Sequence, residues 1–92
     1  MGAAATIPQV QCLAITDTYE QLVAALVARR HALGLSQLAV DDIAGLPSGY
    51  TGKIEASITN PKANNARSIG KVSLPLILGA LGVKLAVVAT NA

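Results

Sequence analysis

A chain of 92 residues, 52% apolar with two tyrosines as its only aromatic side chains, has room for one small domain with an aliphatic core. Such a core suits closely packed helices better than an aromatic-rich β-sandwich, and so small a unit leaves apolar surface for a second subunit to cover. The formal charge of +2 is unevenly spread: residues 1–52 carry two arginines against four acids (net −2), whereas residues 53–92 carry five basic residues against Glu55 (net +4). A basic half can supply phosphate contacts, although the same charges also serve solubility.

Residues 1–15 are uncharged and form an N-terminal arm. Met1–Thr6 fits the short myristoylation pattern, which occurs often by chance and carries little weight. From Ile7 to Ile15, apolar and polar residues partly alternate after Pro8, as in a flexible arm or a short edge strand. Cys12 is the only cysteine, which excludes an intrachain disulfide and a cysteine-rich zinc site. No secretory signal pattern is visible, so the expected location is the reducing cytoplasm.

The central domain is expected over residues 16–83. Asp17 and Glu20 have the spacing of a capping box, placing a first helix start near Thr16 or Asp17. Tyr19, Leu22, Val23, Leu26, Val27 and Arg30 recur at helical spacing and form one stripe. Arg29, Arg30 and His31 suit a helix C-terminus, and Gly34 provides the stop. Ser36 caps a second helix through Gln37, Val40 and Ile43 to Ala44, ended by Gly45. A third short helix opens at Pro47 or Ser48 and reaches about Glu55. The segment from Ala56 to Val72 is polar, rich in Asn and basic, and reads as a linker.

Ser73 is placed to cap a last helix, with Pro75 tolerated in its first turn. Leu74, Ile77, Leu78 and Leu81 make its apolar face, and Gly82 stops it. Lys84–Val88 then reads as a short strand within a C-terminal segment of residues 84–92. A lone strand leaves its backbone unpaired, so it needs the N-terminal arm or the same strand of a second subunit. The stretch from Leu74 to Ala89 is too short for a membrane span and is interrupted by Pro75 and Lys84.

The stretch carrying most information is Leu35-Ser36-Gln37, Val40, Ile43-Ala44-Gly45-Leu46, then Tyr50 and Lys53-Ile54-Glu55. Gln37 precedes Gly45 by eight residues, and Gly45 precedes Glu55 by ten. Val40, Ala44, Leu46 and Ile54 can fill a small core between two helices, and Gly45 can adopt positive φ at the turn. In these residues the chain resembles the Xre and lambda-repressor family of helix-turn-helix proteins, with a likeness spanning Thr18 to about Val88. The resemblance implies a mainly α fold: a lambda-repressor-like bundle of four to five helices with a short C-terminal, and alternatively also N-terminal, β-strand.

The resemblance also implies roles for particular residues. Gln37 at the N-terminus of the second helix would hold a phosphate. Ser48, Gly49, Gly52 and Lys53 would occupy outward, base-facing positions of the recognition helix, with Lys53 the best direct reader of guanine. Tyr50 and Thr51 flank them and would contact a phosphate or a thymine methyl. Lys62, Arg67 and Lys71 in the linker are suited to sugar–phosphate contact.

Gly49 and Gly52 depart from the family pattern, since they bring no side chain where long polar ones are usual. Base reading would then lean on backbone contacts and DNA shape, or the glycines would permit close approach to DNA or a protein. The length of the Ala56–Val72 linker is a second departure.

No enzymatic arrangement competes with this reading. His31 is the only histidine, and the adjacent Asp41 and Asp42 would point about 100° apart on a helix. No metal spacing, cofactor-binding loop or nucleophile–base pair is visible. The expected function is therefore a sequence-specific transcriptional regulator of the repressor class, binding double-stranded DNA as a homodimer on a palindromic operator. The ending Leu81–Val88 resembles HipB-like antitoxins, which implies the alternative of an autorepressing antitoxin with a toxin partner. A protein-interaction module that keeps the fold without operator binding is the third reading.

Overall fold

The computed structural model describes residues 10–91, which form four helices: α1 (Tyr19–Ala32), α2 (Gln37–Ala44), α3 (Tyr50–Thr59) and α4 (Ser73–Leu81). The expected mainly α bundle is present, and α1 and α2 each pack against both α3 and α4. Val23 and Leu26 of α1, Val40 of α2, Ile54 of α3, and Ile77 and Leu81 of α4 form the buried core. Each is aliphatic, and Tyr19, Leu22, Leu46 and Tyr50 close its edges.

Local chemistry sets most element ends. The capping box of α1 is one residue later than the Asp17–Glu20 spacing suggests. Thr18 is the N-cap: its hydroxyl accepts from the Gln21 amide at 3.1 Å, and the Gln21 side-chain oxygen accepts from the Thr18 amide at 3.3 Å. A glutamine can reciprocate a cap as well as a glutamate can, and register decides between the two candidate pairs. Ser36 caps α2 as its sequence position implies, accepting from the Ala39 amide at 3.0 Å. Gly45 ends α2 at φ 74°, and the Leu46 amide reaches back to the Asp41 carbonyl at 2.8 Å. This six-to-one closure requires the left-handed conformation that glycine adopts most cheaply.

Two expectations about element ends are corrected. Helix α3 starts at Tyr50, not at Pro47 or Ser48, and runs on to Thr59, which shortens the irregular linker to residues 60–72. Ile58 provides the reason, since one turn beyond Ile54 it packs against the core. Ser73 is the first residue of α4 and not its cap: Val72 occupies the cap position, while the Ser73 hydroxyl is held by Gly70 and Tyr50. Ile43 lies within α2 as expected, and its side chain is 57% exposed.

The C-terminal strand at Lys84–Val88 is not formed; residues 83–91 follow α4 without regular structure. Beyond the Val83 amide, which closes α4 on Leu78, no backbone hydrogen bond among the described residues involves this segment. The sequence favours extended backbone there, but a strand needs a neighbour, and none lies alongside among the described residues. Residues 10–16 of the arm likewise carry no strand, and the start of that expected strand at Ile7 lies outside the described residues, as does the Met1–Thr6 pattern.

The core assignment is testable by chemical denaturation. Ile54→Ala should lower the unfolding free energy by about 2–5 kcal/mol, through lost burial and a residual cavity. Ile43→Ala, on the exposed side of α2, should change it by no more than about 0.5 kcal/mol.

Candidate nucleic-acid interface

Two buried carboxylates, one on each helix of the α2–turn–α3 unit, fix the unit's geometry. Asp41 on α2 is 1% exposed. Its Oδ2 accepts from the Gly49 amide at 2.8 Å, and its Oδ1 accepts from the Thr51 amide at 2.8 Å and the Thr51 hydroxyl at 2.6 Å. Gly49 occupies the N-cap position of α3 at φ 94° and has no side chain with which to cap. A carboxylate from the preceding helix therefore does what a cap residue normally does, satisfying the orphan amides and complementing the helix dipole. Gly49 is required twice over: an L side chain would strain the positive φ, and the amide must meet Asp41.

Glu55 secures the other side of α3. Arg30 of α1 approaches it side-on, Nε to Oε2 at 2.7 Å and Nη2 to Oε1 at 2.8 Å, a bidentate pair with side chains 10% and 12% exposed. Arg30 Nη1 also donates to the Leu35 carbonyl at 2.9 Å, tying down the turn before α2. Gln37 Nε2 donates to Glu55 Oε1 at 2.8 Å. Residues from α1, α2 and α3 thus meet on one carboxylate. Losing either charged partner alone would leave a buried charge uncompensated, at a cost of about 3–5 kcal/mol.

Against this frame the ten candidate residues separate clearly. With about 100° per residue, Gly49, Gly52, Lys53 and Ala56 share the side of α3 opposite its buried Thr51, Ile54 and Glu55 and half-buried Ile58. Gln37 joins that side from α2, since a Cβ at Gly52 would lie 3.1 Å from Gln37 Oε1. Arg67 is brought in by the linker: its amide donates to the Lys53 carbonyl at 3.1 Å, and its guanidinium lies 5.9 Å from the Tyr50 ring centroid. Lys71 lines a shallow depression of about 280 Å³ together with Tyr50 and Leu46. Ser48 is exposed in the turn before α3.

Three candidates are placed differently from the roles implied for them. Thr51 is buried at 5% exposure with both its amide and hydroxyl held by Asp41, so its side chain is unavailable to a phosphate or a thymine methyl. Tyr50 directs its hydroxyl to Ser73 Oγ at 3.0 Å and links α3 to α4. Lys62 lies in the turn Asn60–Ala63 that follows the C-terminal end of α3, away from the turn between α2 and α3.

Sequence reasoning missed Asp41 and Glu55 as organisers of the site. The available signals were a lone Arg inside the apolar stripe of α1, which demands a buried counter-charge, and a cap position filled by glycine. Among the described residues, Arg30–Glu55 is the one ion pair, so Lys53, Arg67 and Lys71 have no carboxylate bridged to them. Among the same residues, no group of three His, Cys, Asp or Glu side chains could hold a metal ion, and no helix is long and apolar enough to cross a membrane. The chain matches no protein-family model, and no curated protein or solved structure is significantly similar to it.

The two neighbouring aspartates should behave oppositely. Asp41→Ala strands three donors at the start of α3 and should destabilise the protein by about 1–3 kcal/mol or more in urea denaturation. Asp42→Ala, exposed on α2, should stay within about 0.5 kcal/mol of the parent.

Proposed function

We propose that the protein binds double-stranded DNA as a helix-turn-helix transcriptional regulator, with α3 entering the major groove. The observation that carries this reading is the α2–turn–α3 unit. Its second helix is fixed from below by Asp41 and Glu55, while Gln37, Gly52, Lys53 and Arg67 border its outward side. A groove-reading helix must be held rigidly and must not present carboxylates to the phosphates. The carboxylate carried by α3, Glu55, and the one capping its start, Asp41, are both buried and engaged within the protein. Lys53 reads base acceptors, and Arg67 and Lys71 supply counter-charge to the backbone.

The regulator acts as a homodimer. Leu85, Val87 and Val88 are 52–103% exposed in a segment whose backbone has no hydrogen-bond partner among the described residues, and Val10, Leu13 and Ile15 are exposed toward the other end of the chain. Pairing of residues 84–88 with the same segment of a second copy would satisfy that backbone and cover these side chains. It would also place two recognition helices in one particle, as a palindromic operator requires. Repression of transcription follows from occupancy of such an operator.

Duplex DNA should be selected from random sequence, across a salt series, with the parent protein and Lys53→Ala. The expected result is a palindromic site whose preference is relaxed at one base pair per half-site in the variant. Absence of any selected sequence, with parent and variant alike, would overturn the reading. In sedimentation equilibrium the parent should be dimeric. Val87→Lys, a change at a fully exposed position, should shift it toward monomer without lowering its helix content.

A further inference from the structure

The amide of Gln37 is held in one orientation, and Gly52 makes the space for it. Glu55 is an acceptor, so the end of the Gln37 amide that approaches Oε1 at 2.8 Å must be the nitrogen. That leaves the carbonyl oxygen turned toward α3 at Gly52, where an added Cβ would stand only 3.1 Å from Oε1 and 3.7 Å from Cδ. Gln37 is exposed, and among the described residues no donor reaches its Oε1. Arg30 fixes Glu55 in turn through two hydrogen bonds, so the amide rests on a rigid support.

Resting on the DNA-binding reading above, we infer that Gln37 is a base-reading residue specific for adenine and takes the place of the side chain that α3 lacks at Gly52. After its bond to Glu55 the amide keeps one acceptor and one N–H. A phosphate offers acceptors only, and so does the major-groove edge of guanine; both would leave the fixed Oε1 facing a like partner. Adenine presents a donor at N6 beside an acceptor at N7, the complement of what remains on Gln37. Gly52 is then a specificity device: a larger residue there would push the amide off its seat.

The variants Gln37→Ala and Gly52→Ala separate this from a phosphate contact and from loss of fold. Gly52 has no positive φ, so alanine suits its helical position, and the variant should melt no lower than the parent. Affinities should be measured for the selected duplex and for versions with each base pair replaced singly. The parent should prefer adenine at one position per half-site by about tenfold or more. Both variants should lose that preference while keeping every other one. If Gln37→Ala weakens all duplexes by one common factor and leaves every preference intact, the residue contacts phosphate and the inference is overturned while the DNA-binding reading stands. If the parent selects no duplex at all, both fall together.

Discussion

The Glu55 carboxylate is the point on which the geometry of this small protein turns. It is buried, yet it accepts from Arg30 of α1 and Gln37 of α2 while sitting on α3. An aliphatic core of six buried side chains among the described residues can exclude water, but apolar contacts alone fix a less unique arrangement than directional bonds do. A bidentate guanidinium–carboxylate pair has one good geometry. It therefore sets how far α3 is rotated and how close the Leu35 turn comes to it. Such a pair costs desolvation, and replacing it wholesale by apolar residues is often neutral for stability. Its contribution here is orientation: it determines which residues of α3 face inward and which are left outside.

Asp41 completes the constraint from the opposite end of α3. The N-terminus of a helix attracts anions, and in many phosphate-binding proteins a ligand occupies that place. Here the protein fills it internally, since the Gly49 and Thr51 amides both point at Asp41. One consequence is electrostatic. The positive end of α3 is neutralised, so positive potential around this helix comes from Lys53, Arg67 and Lys71 and not from its dipole. A second consequence concerns burial, because Thr51 is drawn inward by the same carboxylate and leaves the outward side to Gly52 and Lys53.

Much of the fold was legible in the sequence, and the misses have definite causes. The α1 stripe, the Ser36 cap, Gly45 and the Gly82 stop all encode local geometry, and local geometry can be read residue by residue. The length of α3 was less visible, because Ser57 and Thr59 are weak helix formers and the packing of Ile58 against the core extends the helix past Glu55. The Ser73 hydroxyl looked like a cap because spacing cannot show that Tyr50, 23 residues earlier, competes for it. Lys84–Val88 has the composition of a strand, but a strand is a property of two segments, and no second segment pairs with it among the described residues. At the site, Lys53 and Gln37 stood out by residue type and spacing. Asp41 did not, since its partners lie 8 and 10 residues on, across a turn whose path had to be known first.

The two glycines of the recognition unit look in sequence like missing readers, each costing a helix about 1 kcal/mol relative to alanine. In three dimensions they differ from one another. Gly49 lies before the helix at φ 94°, where its flexibility lets the chain enter α3 with its amide on Asp41, so it costs the helix interior nothing. Gly52 lies within the helix at ordinary φ and does carry the propensity cost, offset by the seat it leaves for a side chain arriving from α2. A reading surface assembled from two helices depends on their relative placement more than one built on a single helix does. On the proposed DNA-binding reading, that dependence gives the two buried carboxylates beneath so short a unit a purpose that a looser aliphatic contact would not serve.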